Sequence, residues 1–443
     1  MKKIFSFIII ILLGFYPEVS IAKSFGAKGF TLDNGMQVVV IPNTKVSAVS
    51  HMVWYKIGAV DEPLSKSGIA HFLEHLMFKG TPRYGKGEFS KTIAKSGGED
   101  NAFTSYDYTA YFQNISRDKL EPVMDMESDR MENLIIDEKE VLTERDVILE
   151  ERSARVDNKP SSVIAEQMRA ALYRNHPYGT PLIGWRHEIA ALKTEDAQKW
   201  YDNYYAPNNA ILVVSGDITE EELKPLAEKY YGKIKTKKTP ERITVSEPTD
   251  NFAAINISLA DEKVTRSEWS RYYIAPSQNT DAKEMAYPLV LLSYILAESD
   301  TGRLYQNLVV EQEIAVSVSS YYNDLQLGES FFGVYAIPSD KSDIAQIEKE
   351  IEKQIENIKQ NGITEEELKR AKNALIAETI YAREDLKTLA YLYGQMMATG
   401  VGMEYADNWE KNIDKVTAKQ VQEAAREVLQ IDRSVTGYLT PKG

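Results

Sequence analysis

His71, Glu74 and His75 stand in this chain as an H-F-L-E-H pentapeptide. Two imidazoles four positions apart on a helix return to nearly the same face, because a turn holds 3.6 residues, so the pair can clasp one metal ion. Glu74 falls on that same face beside the second histidine, placed to act on a water without itself being a ligand. Catalytic zinc is usually held by three protein groups plus an open position, and a carboxylate is the ordinary partner of two histidines. The charged segment from Glu138 to Asp157, helical in pattern, offers Glu144 and Glu151, seven residues and therefore two turns apart on one face, with Glu150 adjoining. Spacing alone does not choose among these three. The chain has no cysteine, which excludes disulfides, thiolate ligands and lipid attachment through a thiol, so any zinc is held by nitrogen and oxygen.

The pentapeptide needs a helix, and its surroundings supply one. Ile69, Phe72, Leu73 and Leu76 are left free to pack, Ser65 or Ser67 can cap a helix running from about Gly68 to Lys79, and Gly80-Thr81-Pro82 ends it. Upstream, Phe30 to Ile41 reads as a β-hairpin turning at Asp33-Asn34-Gly35, and Ala48 to Ile57 as a further strand leading to the helix. In the second half, Ala253 to Leu259 and Glu329 to Ile337 read as strands. Ile344, Ile347, Ile351, Ile355 and Ile358 form a buried helical stripe. The identical I-T-E-E-E-L-K at Ile218 and Ile363 is a capping box that arises independently, not evidence of a repeat.

Composition bounds the function classes. The chain has 443 residues with 43% hydrophobic content, enough for a sizeable core and for at least two domains. With 52 Lys plus Arg against 66 Asp plus Glu, the formal charge of -14 argues against a nucleic-acid partner. It reads as solubility, with an acidic surface that selects basic peptides as the sharper alternative. Lys2 and Lys3 precede an apolar run from Ile4 to Phe15 and a Ser20-Ile21-Ala22 ending, the layout of a secretory signal peptide cleaved after Ala22. That run falls short of the roughly 20 residues that span a bilayer. Retention as an uncleaved anchor is the alternative; no later stretch reads as membrane-spanning.

Longer segments carry a resemblance. G-I-A-H-F-L-E-H-L-M-F-K-G-T at Gly68 to Thr81, G-G-E-D-N-A-F-T-S at Gly97 to Ser105 and E-R-D-V-I-L-E-E at Glu144 to Glu151 are joined by H-P-Y-G-T-P-L-I-G from His176 and Y-Y-A-P-N-N-A-I-L-V-V-S-G-D from Tyr204. Together they resemble the inverted-zincin metallopeptidases typified by pitrilysin, insulin-degrading enzyme and the mitochondrial processing peptidase. The resemblance implies an α+β fold of two tandem related domains. Each would be a mixed, mostly antiparallel sheet packed with helices, and the two together would form half of a clam-like chamber. On this basis the chain divides into a signal peptide (1–22), a zinc-binding catalytic domain (23–235), a linker (236–251) and a second domain of the same fold without a metal site (252–443).

The same resemblance implies one zinc ion per chain, held by His71, His75 and Glu151, the last lying 151 − 75 = 76 residues beyond the second histidine. Glu74 is implied as general base and Glu144 as a group behind a ligand, orienting it. Asn101, Ala102 and Phe103 match the family's edge strand, which grips an extended substrate through backbone hydrogen bonds. His51, His176 and His187 are not assigned to the metal, and Tyr106, Tyr108 and Tyr111 are read as packing or surface residues.

One departure stands out. Family members that complete the substrate site from the second domain carry an Arg and a Tyr seven residues apart, where this chain places Val309 and Val316. Valine offers no hydrogen bond to a substrate carbonyl or an oxyanion. The expectation is a zinc endopeptidase acting on extended peptides or exported protein segments in a bacterial periplasm. It would be the metal-bearing subunit of a two-chain enzyme whose related partner supplies the Arg and Tyr. A homodimer is the second choice for its assembly, and a non-catalytic peptide-binding or assembly module of the same fold is the alternative function.

Overall fold

The computed structural model describes residues 26–248 and 253–442; the signal-peptide segment 1–22 lies outside the described residues. Strands β1 (Lys28–Thr31) and β2 (Gln37–Pro42) form the expected hairpin, with Thr31 opposite Gln37 and Gly35 at a φ of 84° in the turn. With β3 (Ala48–Tyr55), β4 (Glu99–Thr104), β5 (Thr109–Ser116) and β6 (Ala210–Gly216) they make a six-stranded sheet of order β1-β2-β6-β3-β5-β4. A second sheet follows, built from β7 (Ile255–Asp261), β8 (Glu268–Ala275), β9 (Ala315–Tyr322), β10 (Ser330–Pro338) and β11 (Ser434–Pro441). Its order is β7-β11-β8-β10-β9. The fold class is α+β.

The two sheets share one plan. Without β1, the strands correspond one to one in chain order: β2 pairs parallel with β6 as β7 does with β11, and the other neighbours are antiparallel in both. Strand β9, which carries Val316, therefore occupies the edge position that β4 holds in the first sheet. The repeat resides in topology and not in the I-T-E-E-E-L-K copies. Those do as capping boxes should: Thr219 caps the helix Glu220–Tyr230 and Thr364 caps Glu365–Ala382.

Both faces of each sheet are covered, and each half lends the other a helix. Val38, Val40, Val53, Tyr55, Leu212 and Val214 pack against helices of their own half, including the motif helix. The opposite face, Val39, Ile41, Met52, Trp54, Ile211 and Val213, is covered by Leu389, Ala390, Tyr393 and Met396 of the helix Leu386–Ala398. In return, Ile164, Met168 and Leu172 of the helix Pro160–Leu172 pack on Tyr272, Phe331, Val435 and Leu439 of the second sheet. A strand buried on both sides reads as a continuous apolar run, which is why Val38 to Ile41 shows no alternation. In the second half, the helix Ile344–Asn361 buries Ile347, Ile351, Ile355 and Ile358 as the stripe predicts.

The exchanged helices approach so closely that a Cβ would collide at two glycine contacts. A Cβ at Gly394 would lie 2.0 Å from the buried indole of Trp54, and one at Gly437 would lie 2.3 Å from Met168 Sδ. Trp54 is rigid and fully enclosed, whereas a thioether can swing aside. Gly394→Ala is accordingly expected to cost ~1–3 kcal/mol or more, and Gly437→Ala distinctly less, in urea-unfolding measurements. Equal losses would mean that the Trp54 contact relaxes freely.

Residues 235–248, within and beside the expected linker, carry no helix or strand but are tied down. Arg242 Nε donates to Asp61 Oδ1 at 2.7 Å and its terminal nitrogen to the Asp107 carbonyl at 2.7 Å, while Glu247 accepts the backbone N–H groups of Arg174 and Asn175 at 3.0 and 2.9 Å. The connection acts as a strap along the first half.

Candidate active site

The motif helix spans Ile69–Leu76, shorter at both ends than the sequence suggests. Neither Ser65 nor Ser67 caps it. Ser65 itself sits at a φ of 63°, outside the extended backbone that an N-cap residue adopts, and the Ser67 hydroxyl accepts the Trp185 N–H at 2.9 Å. The free N–H groups of Gly68 and Ala70 are instead taken by the two oxygens of Glu62, at 2.9 and 3.0 Å. Glu62 is half-buried, and desolvation raises its pKa to about 8 although these two N–H groups pull it down. Gly68, at a φ of 87°, touches the Pro181–Gly184 turn: a Cβ there would meet the Ile183 carbonyl at 2.6 Å. The loop of the P-Y-G-T-P-L-I-G segment is thus pressed against the start of the helix.

His71 and Glu74 are buried on this helix and His75 is partly buried. One potential ligand atom from each of the three lies within 4.8 Å of the other two, the only such group among the described residues. The fourth member comes from the helix Glu138–Arg152: Glu151 Oε2 lies 3.3 Å from His75 Nε2 and 3.7 Å from His71 Nε2. Tetrahedral ligands about 2.0–2.1 Å from a zinc ion sit about 3.3–3.4 Å from one another, so these separations are those of ligand edges. Glu151 Oε2 is buried, and the two imidazole nitrogens are the polar groups that it faces. Its other oxygen pairs with Arg155 at 2.8 Å, one turn further on, which fixes which oxygen faces the histidines.

The remaining contacts sort Glu144, Glu150 and Glu74. Glu144 Oε1 accepts from His75 Nδ1 at 2.9 Å, and its second oxygen pairs with Lys79. With Nδ1–H given to Glu144, Nε2 is the nitrogen that faces Glu151, and in the neutral ring it would offer its lone pair to a metal ion. Glu150 makes no contact with either histidine. Glu74 receives a hydrogen bond from the Thr104 hydroxyl at the end of β4, which holds its carboxylate to one side.

Electrostatics favours a cation at this point. Burial works against charge on His75, but its hydrogen bonds to Glu144 and Glu151 and the charges of Glu151 and Glu74 lift its pKa to about 9. Burial and the neighbouring His75 push His71 down to about 4. Glu151 is held below the usual carboxylate range by its hydrogen bond to His75, whereas burial raises Glu74 above it despite the Thr104 contact. A position that stabilises the charged form of His75 also suits a divalent ion, and the donor set of two nitrogens and one oxygen fits zinc.

The site opens into a cavity of about 800 Å³ between the two halves. The first half lines it with Asn101 to Thr104 of β4; the second contributes Tyr272 of β8 and Phe331 of β10. Strand β4 pairs only with β5, with Ala102 opposite Tyr111, so its other edge is free to accept a further strand. The Phe103 ring turns into the opposite layer, 5.2 Å from Trp54 and 5.3 Å from Tyr391, leaving its backbone at the edge. Tyr108 and Tyr111 are buried packing residues, while Tyr106 lines the cavity wall.

None of the other histidines joins the cluster. His51 is buried between Gln113 and Tyr231, His176 Nδ1 accepts the Tyr178 N–H at 3.2 Å, and His187 is exposed. In the second half Val309 is half-buried against the core and Val316 is exposed on β9. Sequence reasoning missed Glu62, Arg155, Arg169, Tyr272 and Phe331, and did not connect Thr104 with Glu74. Arg155 alone carried a local signal, its i,i+4 spacing from Glu151.

Two topologically equivalent sheets, only one of them bearing an HxxEH helix beneath its edge strand, define a metallopeptidase-type chain. It belongs to peptidase family M16: the insulinase (M16) family model matches residues 37–185 and the M16 inactive-domain model residues 191–375. The zinc protease PqqE of Helicobacter pylori is 31% identical over 416 residues, covering 93% of this chain and 92% of that protein. A Helicobacter pylori protease of known crystal structure superposes with a TM-score of 0.88 at 30% identity, covering 94% of this chain and 99% of that one. The first half of the periplasmic protease PqqL of Escherichia coli gives a TM-score of 0.79 at 20% identity, covering 94% and 92%.

Proposed function

We propose that the chain is a zinc-dependent endopeptidase that cleaves extended peptides or exported protein segments, with His71, His75 and Glu151 as ligands and Glu74 as general base. The convergence of Glu151 Oε2 on both imidazoles, beside a free sheet edge, carries this reading. Bound there, zinc would supply a Lewis acid for the scissile carbonyl and acidify the attacking water. The chain's own residues do the rest. Backbone groups of Asn101 to Phe103 hold the substrate as an added strand. Thr104, next in that strand, keeps Glu74 turned toward the site, where its carboxylate takes the water's proton and returns it to the leaving amine. Glu144 holds the His75 ring in orientation and tautomer, and Arg155 does the same for Glu151.

The chain acts in this proposal as one subunit of a pair. The cavity wall contributed by the second half contains Tyr272 and Phe331 but no basic side chain, and Val309 and Val316 supply none. A related chain carrying the Arg and Tyr would dock to complete the chamber. The signal-peptide pattern of residues 1–22 and the resemblance to a periplasmic protease of Escherichia coli support a periplasmic location, and no helix among the described residues is long and apolar enough to cross a membrane. Gentle co-purification from the envelope fraction is expected to bring a second chain of similar size, and peptide cleavage is expected to rise at least about 100-fold on its addition, the low end of what one positioned oxyanion donor contributes. Full activity of the purified, monomeric chain would remove the two-chain element. Zinc-free protein with no cleavage, alone or with its partner, would favour the non-catalytic binding module.

A further inference from the structure

Arg169 lies in the wall of the same cavity, on the helix Pro160–Leu172, and its charge is not neutralised. Its guanidinium stands over the rings of Tyr106, Tyr173 and Phe331 at 4.3, 5.4 and 5.3 Å, and Nε donates to the Tyr178 carbonyl at 2.9 Å. No carboxylate among the described residues pairs with it. The other charged groups of the wall are all engaged: Arg155 with Glu151, Glu166 bidentately with Arg152 at 2.9 and 3.1 Å, and Glu74 with Thr104. The three rings fix the fork and cover its faces, and no carboxylate among the described residues takes its terminal N–H groups.

We infer that Arg169 is a carboxylate-binding subsite of the chamber, taking an acidic side chain or the C-terminal carboxylate of a bound peptide. An ordered, partly desolvated guanidinium pairs with a carboxylate through charge-assisted, bidentate hydrogen bonds that are stronger than neutral ones. The net charge of -14 would by itself repel acidic peptides, so a preference for them requires a local cation of this kind. This selectivity runs against the basic-peptide preference that the overall charge suggests. It rests on the cavity being the peptide chamber of the proposed peptidase. The aromatic cage joins Tyr106 and Tyr173 of the first half to Phe331 of the second, so the subsite exists only where the halves meet.

The test is binding, read by fluorescence anisotropy in a Glu74→Gln background so that the peptide is not consumed. The probes are one short neutral peptide, the same peptide with a single Glu replacing Gln at each position in turn, and both forms with free and amidated C-termini. One Glu position or the free C-terminus is expected to tighten binding at least about ten-fold over its neutral counterpart, the lower end for a hydrogen bond to a charged group. Which arm responds identifies the source of the carboxylate. The ratio within one protein should fall to near one in Arg169→Met and take an intermediate value in Arg169→Lys, which keeps the charge without the fork. A thermal melt checks folding, and the Lys variant decides the matter where the Met variant does not fold. A ratio near one with Arg169 intact, or one unchanged in both variants, overturns the subsite. Cleavage of the neutral peptide by the Glu74 protein reports separately on the peptidase reading: cleavage without carboxylate preference leaves that reading standing alone, and Arg169-dependent binding without cleavage leaves only the subsite.

Discussion

Glu74→Gln is expected to lower peptide cleavage by roughly 10²–10⁴-fold while leaving bound zinc at wild-type stoichiometry, the range a positioned general base contributes. Glutamine keeps the size of the side chain, and its amide oxygen can still accept the Thr104 hydroxyl, so the helix and the β4 contact persist. What disappears is the proton acceptor. Burial already raises the Glu74 pKa above that of an ordinary carboxylate, which suits a group that must take a proton and give it back within one turnover. Metal analysis alongside single-turnover cleavage separates the outcomes. Wild-type cleavage by the variant would remove Glu74 as the base. Loss of zinc would instead make Glu74 a ligand, a possibility the geometry poses because its oxygen falls within 4.8 Å of both histidine donors. The fixed Thr104 contact and the tetrahedral-edge distances of Glu151 argue for the first assignment of roles.

The parts of this site that could be read from the sequence are those encoded over short spans or by a specific motif. The pair His71 and His75 follows from helix periodicity, the β1–β2 hairpin from Asp33-Asn34-Gly35, and the free edge of β4 from the N-A-F-T segment. Periodicity left Glu144, Glu150 and Glu151 equivalent, and only the family resemblance ranked them before the distances did. What could not be read was decided by contacts between distant segments. Glu62 replaces the nearby serines as helix cap because the intervening loop folds back over the helix start. The helix Leu386–Ala398 covers the first sheet some 340 residues after Trp54, which makes Gly394 obligatory for a reason no local pattern contains. Arg169 looks like any helix-surface arginine until Tyr106, Tyr173 and Phe331 close around it. The tandem repeat was expected from the family resemblance and not from any internal copy of residues, and the strand order displays it.

Glu151 and Glu144 flank the same imidazole, so their variants should fail in different ways. Glu151→Gln removes the one carboxylate oxygen that faces both His71 and His75, leaving two nitrogens to hold the ion, fewer than the three protein ligands of a catalytic zinc site. Zinc is expected to fall well below stoichiometric after simple dialysis, with cleavage lost in proportion. Glu144→Gln leaves all three donors in place. Its amide oxygen can still accept His75 Nδ1–H, but the negative charge behind the ring is gone and Lys79 loses its partner. Zinc affinity should therefore drop by about 10–100-fold, enough to be stripped by a competing chelator yet not by dialysis. Chelator titrations of the two variants, read by residual zinc, test the ordering directly. The reverse result, with Glu144→Gln losing metal on dialysis and Glu151→Gln keeping it, would exchange the two roles. It would also require the helix Glu138–Arg152 to turn so that Glu144 faces the shared centre of the two histidines, a rotation that its contact with Lys79 and the pairing of Glu151 with Arg155 both oppose.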